Sequence, residues 1–144
     1  MPHLIKTFKI KPRDFVKAGE VSIRIQGLLK TIGFDADLIR SVSVCAYESE
    51  MNVVMHGGEG SLFLIIDPDQ IILEVKDDGA GIEDVDLALR EGFSTASQEF
   101  REMGFGAGMG LPNIKKHADV FEIRSELGKG TNLRMCFKTD RSGK

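Results

Sequence analysis

Three observations predict an α+β fold for this 144-residue chain, a two-layer sandwich of a mixed, mostly antiparallel sheet with helices on one face. Two long stretches with apolar residues at helical spacing come early. Four short alternating runs follow as two pairs, each joined by a turn signal. One further alternating run precedes them all. With 42% hydrophobic and 28% charged residues the composition is that of a globular chain long enough for one core. A single domain over 1–144 is expected, with 138–144 as a frayed tail.

Residues 3–10, HLIKTFKI, alternate and read as the first strand; Lys11-Pro12-Arg13-Asp14 breaks the pattern and offers Asp14 as a helix cap. Phe15, Ala18, Val21, Ile25, Leu28, Leu29 and Ile32 follow at helical spacing, and Gly33 closes that helix. A longer helix starts after Asp35 or Asp37 and runs through Leu38, Val42, Cys45, Ala46 and Val53 to His56-Gly57-Gly58. SLFLIID and QIILEVKD, joined through Pro68-Asp69, read as an antiparallel pair. Residues 84–93 make a short helix, and 94–110, polar and then glycine-rich, a long mobile loop. Pro112 suits the first turn of a helix over 111–117, where a missing N–H costs nothing. VFEIRS and TNLRMCF, joined through 126–130, complete the order.

A net charge of −3 and a pI near 5.6 provide no basic field for a phosphodiester backbone, so no direct nucleic-acid partner is expected. No apolar stretch has the length of a membrane span, and the start lacks the uninterrupted apolar run of a secretory signal. Cys45 and Cys136 fall in apolar periodic segments without CxxC spacing, which reads as buried reduced thiols and a cytoplasmic address.

Four stretches carry candidate chemistry. GFGAGMGL, 104–111, places glycines at every second position and opens onto a helix N-terminus, where free N–H groups and the helix dipole favour an anion. The familiar phosphate loops do not fit it: Gly128-Lys129 is followed by Gly130 instead of Ser or Thr, and Met109 and Leu111 stand where G-x-G-x-x-G needs its third glycine. Alone, it is equally a flexible surface loop. EVKDDGAGI, 74–82, puts Asp77 on the same strand face as Leu73 and Val75, and a carboxylate aimed there needs a donor. The turn amides of Gly79 and Gly81 are one such donor set, a ligand another.

In AYESEMNVVMHGG, 46–58, Glu48, Asn52 and His56 stand at i, i+4 and i+8 along one helix edge. A carboxylate beside a carboxamide suits a base next to a magnesium ligand; it is also an ordinary solvated edge, with His56 favoured by the helix C-terminus. In LGKGTNL, 127–133, Thr131 shares a strand face with Leu133, Met135 and Phe137 after a glycine turn.

ESEMN, DDGAG, GAGMG and GKGT in this order, on helix, strand end, loop and strand start, resemble the four nucleotide-binding boxes of the GHKL ATPases. That group includes gyrase-type topoisomerases, heat-shock chaperone ATPases, histidine kinases and anti-sigma serine kinases. The resemblance runs from about residue 35 to residue 138 and implies a Bergerat-type ATP-binding fold. It implies that Asp77 receives the adenine amino group, that Gly79 and Gly81 let the ring approach the backbone, and that Thr131 supports the adenine contact. Asn52 would hold Mg2+ against the phosphates of ATP, Gly106, Gly108 and Gly110 would cradle those phosphates, and Glu48 would activate an attacking hydroxyl.

Histidine kinases usually have Asn where this chain has Glu48, whereas hydrolytic and serine-kinase members have Glu. With one nucleotide-binding domain and little else, the chain resembles the stand-alone bacterial anti-sigma regulatory factors, serine/threonine kinases. That branch implies a sigma factor and a STAS-domain anti-sigma antagonist as partners, phosphate transfer to a serine of the antagonist, and a homodimer. A non-catalytic ATP-gated binding module and a detached catalytic half of a two-component kinase stay open as alternatives.

Overall fold

The computed structural model describes residues 4–82, 84–90 and 110–140. In chain order they form β1 (Leu4–Ile10), α1 (Glu20–Ile32), α2 (Ala36–His56), β2 (Gly60–Ile66), β3 (Gln70–Asp77), α3 (Val85–Ala88), α4 (Gly110–His117), β4 (Val120–Glu126) and β5 (Gly130–Lys138). The five strands make one sheet in the order β1-β2-β3-β5-β4. Every pairing is antiparallel, so the expected mixed character is corrected to wholly antiparallel among the described residues. The short β2–β3 and β4–β5 turns reverse the chain and make those two pairs antiparallel. Asp67 builds the first of them, its Oδ1 accepting from Asp69 N and Gln70 N at 2.9 Å each.

Alternation with period two sends Leu62, Leu64, Leu73, Val75, Leu133, Met135 and Phe137 to one face of the sheet. Helical spacing sends Ile25 and Leu29 of α1, Leu38, Val42 and Cys45 of α2, and Ile114 of α4 onto the same face, and all of these are buried. Each such burial contributes about 1.5–3 kcal/mol, which fixes α2 across the middle of the sheet. The opposite face carries no helix among the described residues. A continuous apolar row crosses it through the paired residues Ile5, Ile65, Ile72, Cys136 and Val120. Cys136 is therefore half-buried on that outer face and not a core thiol as expected; Cys45 is fully buried, and both are free.

The first helix begins later than its apolar spacing predicts, and Asp14 is not its cap. Gly19, at φ 92, is the N-cap, and the helix starts at Glu20. The reason is Glu50 of α2, which is 2% exposed and accepts from Gly19 N at 3.0 Å, Val21 N at 3.3 Å and Ser22 N at 3.1 Å. A buried carboxylate facing three free amides decides the start more strongly than the half-buried Asp14, which accepts only from Lys17 N at 3.3 Å. Burial pushes the Glu50 carboxyl above the usual carboxylate range while the three N–H bonds pull it back.

At the other end of this hairpin Gly33, at φ 100, closes α1, and Asp35 caps α2 by accepting from Asp37 N at 3.1 Å. The helix expected over 84–93 is four residues long where it is described, capped by Asp84 Oδ1 on Leu87 N at 3.0 Å; residues 91–93 lie outside the described residues. The tail expected to fray from residue 138 is tied further along: Lys138 N donates to Asp119 Oδ2 at 2.7 Å and Thr139 N to Asp69 O at 3.0 Å. No helix among the described residues is long and apolar enough to cross a membrane.

Candidate functional site

Asp77 is the last residue of β3 and lies, half-buried, beneath the C-terminal end of α2. Its Oδ1 accepts from Gly79 N at 2.8 Å and from Gly58 N at 3.4 Å. Oδ2 has no hydrogen bond among the described residues. The carboxylate thus builds the turn with one oxygen, as one of the two readings of the sequence had it, and the other oxygen remains available as an acceptor. Asp78 is exposed, as the strand period requires.

Gly79 and Gly81 are glycines for reasons internal to the chain. A Cβ on Gly79 would lie 2.5 Å from Gly58 N and 2.6 Å from Gly57 C, so the end of α2 and the β3 turn touch backbone to backbone. Gly81 has φ +81, and a Cβ there would overlap the Glu126 carbonyl oxygen. The sequence signal for this close approach was His56-Gly57-Gly58, which reads at first as a helix end only.

Across the ladder Asp77 pairs with Thr131. Thr131 is buried on the helix-covered face, and its Oγ1 lies 2.9 Å from Ser125 Oγ of β4, its register partner. Ser125 Oγ also accepts from Ile82 N at 2.6 Å and lies 3.1 Å from Gly130 O, to which it can donate. Ser125 and Thr131 thus share one hydroxyl–hydroxyl bond, in which either can be the donor, and Ser125 ties Thr131 to the turn. Ser125 was not singled out in the sequence; its signal is its position opposite Thr131 once the β4–β5 turn is recognised.

On α2, Glu48, Asn52 and His56 lie along one half-buried edge. Asn113 of α4 donates through Nδ2 to Glu48 Oε2 at 3.0 Å, and a Cβ on Gly110 would come within 3.6 Å of Glu48 Oε1. Asn113 is held in turn by its own helix, whose His117 Nδ1 donates to Asn113 O at 2.8 Å. Glu48 is therefore oriented by the helix that follows the glycine-rich stretch. Asn113 too went unnoticed in the sequence. Below this edge, burial and then the Glu48 charge push the Cys45 thiol up to about 12, which makes it an inert core group. Burial and the Arg13 guanidinium hold the His56 imidazole below its ordinary range.

The structure thus brings Asp77, Gly79, Gly81 and Thr131 together at one end of the sheet and places Glu48, Asn52 and Gly110 beside them along α2 and α4. Gly106 and Gly108, and residues 94–109 of the loop expected over 94–110, lie outside the described residues, while Gly110 is the first residue of α4. Among the described residues no three His, Cys, Asp or Glu side chains converge as a metal site. Asn52 offers one neutral oxygen, a donor set suited to magnesium that takes its remaining ligands from phosphates and water.

Residues 45–141 match the family described as histidine kinase-, DNA gyrase B- and HSP90-like ATPases. The chain is 34% identical to the anti-sigma F factor of Thermoanaerobacter sp. (strain X514) over 102 residues, 67% of this chain and 68% of that protein. It is 26% identical over 125 residues to the serine/threonine-protein kinase RsbT of Bacillus subtilis (strain 168), covering 84% of this chain and 86% of that one. In fold it is similar to the mycobacterial sensor histidine kinase MprB, with a TM-score of 0.53, 14% identity and coverage of 94% and 97% of the two chains.

Proposed function

The chain belongs to the histidine kinase-, DNA gyrase B- and HSP90-like ATPase family, and from that membership we propose that it is an ATP-binding anti-sigma regulatory factor with serine/threonine kinase activity. It transfers the γ-phosphate of ATP to a serine of a STAS-type anti-sigma antagonist and binds a sigma factor. Relatives named anti-sigma F factor and serine/threonine-protein kinase support this branch. The observation that carries the catalytic part is Glu48, a carboxylate held at 3.0 Å by Asn113 with Asn52 one turn away on the same edge of α2.

In this reading Asp77 Oδ2 accepts the adenine amino group while Oδ1 stays with the turn. Thr131, steadied by Ser125, supports the same base edge. Asn52 would hold Mg2+, and Gly106, Gly108 and Gly110 would lie against the phosphates. Bound Mg-ATP supplies the phosphoryl group and departs as ADP. Glu48 takes the proton of the attacking serine hydroxyl as its oxygen bonds to phosphorus, and Asn113 keeps the carboxylate aimed. The helix-free sheet face, with its apolar row from Ile5 to Val120, supports a homodimer in which two such faces stack. One domain over 1–144 and a cytoplasmic address complete the proposal.

The test is label transfer from γ-labelled ATP to purified STAS-domain proteins by wild type and Glu48→Gln. Loss of the base should lower transfer by roughly 10²–10⁴ with ATP affinity nearly unchanged. Transfer by Glu48→Gln at the wild-type rate refutes the role of Glu48. ATP binding without label on any acceptor leaves an ATP-gated module as the better account, and acid-labile phosphohistidine on the product favours a two-component kinase.

A further inference from the structure

The helical hairpin of α1 and α2 leaves a groove of about 780 Å³ on its solvent side, away from the sheet. Its two ends differ in chemistry. One end carries Lys30 and Arg40, the only cations among the described lining residues. The other carries Glu48, the only carboxylate among them, beside Ile23 and Tyr47, which are 68% and 40% exposed. Between them lies Ser43, whose Oγ is shielded from water yet has no hydrogen-bond partner among the described residues.

We propose that this groove docks the phospho-acceptor protein. One segment of that protein brings its serine hydroxyl to Glu48 and seats an acidic side chain between Lys30 and Arg40. The inference rests on the kinase reading above and adds the docking surface and the charge pattern that select the substrate. Continuity supports it, because the Glu48 carboxylate that borders Gly110 and Asn113 on the nucleotide side also closes the end of the groove. Charge supports it as well: the cationic end calls for an anionic group on the occupant, while the carboxylate end calls for a hydroxyl able to give up a proton.

Arg40 and Glu48 are two turns apart on α2, about 12 Å at 1.5 Å per residue. The acidic side chain on the acceptor therefore lies roughly four residues from the serine in an extended segment, or roughly eight in a helical one. The apolar floor, Ile39 and Val44, fits the side chains between these two anchors.

The experiment measures label transfer from γ-labelled ATP to the purified STAS-domain proteins of the same genome at varied acceptor concentration. Wild type is compared with Lys30→Glu, Arg40→Glu and the double variant. Both positions are exposed, so thermal unfolding should stay at the wild-type midpoint, and ATP affinity should be unchanged. The acceptor KM should rise roughly tenfold or more in the double variant, and the increase of the wild-type KM with salt should disappear. Reversing the matching acidic residue of the acceptor to Lys should restore the double variant. An acceptor that wild type labels, but with the same KM for the double variant, overturns the docking groove and leaves the kinase reading standing. If wild type labels no STAS-domain protein, the kinase reading falls and the groove with it.

Discussion

Asp77→Asn separates the two oxygens of the carboxylate. The amide oxygen of Asn can stand where Oδ1 stands and keep the bonds from Gly79 N at 2.8 Å and Gly58 N at 3.4 Å. The amide nitrogen then replaces Oδ2. Facing the adenine amino group, it sets donor against donor and removes a hydrogen bond to a charged acceptor, worth about 1.5–3 kcal/mol, or roughly ten- to a hundredfold in ATP affinity. Guanine presents an acceptor at the same position, so the preference for ATP over GTP should narrow or invert. Stability should hardly move. Asp77→Ala differs, because it takes the acceptor from both turn amides; the well-made Gly79 bond alone is worth about 1 kcal/mol, or several degrees of midpoint for a domain of this size. Calorimetric titration with Mg-ATP and Mg-GTP, run beside thermal unfolding for both variants, reads each quantity. An Asp77→Asn protein that binds ATP as tightly as wild type refutes the adenine contact, and one that unfolds as early as Asp77→Ala refutes the division of labour between the oxygens.

Two further outcomes follow from the site. Asn113→Ala removes the 3.0 Å bond to Glu48; discounted for a half-exposed pair to about 1 kcal/mol, its loss should slow single-turnover phosphate transfer roughly fivefold while ATP affinity holds, and an unchanged rate would refute the orienting role. His56 titrates below its ordinary range in the fold, so as pH falls from about 6.5 the unfolded chain takes up a proton that the folded chain refuses. Stability should therefore decline from about pH 6.5 downward, with no His56 contribution to the slope above it. Urea midpoints between pH 7.5 and 5 should decline less steeply for His56→Gln, and equal slopes would rule the group out.

The order of elements was legible because alternation and helical spacing are local signals, and Pro68, Gly33 and Asp35 mark their boundaries chemically. The start of α1 was not, since the decisive acceptor, Glu50, is 31 residues from Gly19 in sequence and becomes its neighbour only when the hairpin packs. The same limit governs the site. Asp77, Glu48 and Asn52 show themselves by residue type on a predictable face. Asn113 and Ser125 act through partners 65 and 6 residues away, and nothing in their immediate neighbours distinguishes them from surface polar residues. Gly57 and Gly58 illustrate a different loss: their sequence is that of a helix end, and only the approach of the β3 turn gives them a second purpose.

The pairing of β1 bears on how the chain is made. Leu4 meets Ile66 and Ile10 meets Gly60, so β1, once made, waits for residues synthesised 50 to 62 positions later. At roughly 5–20 residues per second that delay is on the order of several seconds. The α1–α2 hairpin, whose contacts are local, forms within it on a much shorter timescale. Closing the β1–β2 ladder then encloses a preformed helical pair, and until that step both edges of the newborn β1 are unpaired and open to every other nascent chain nearby.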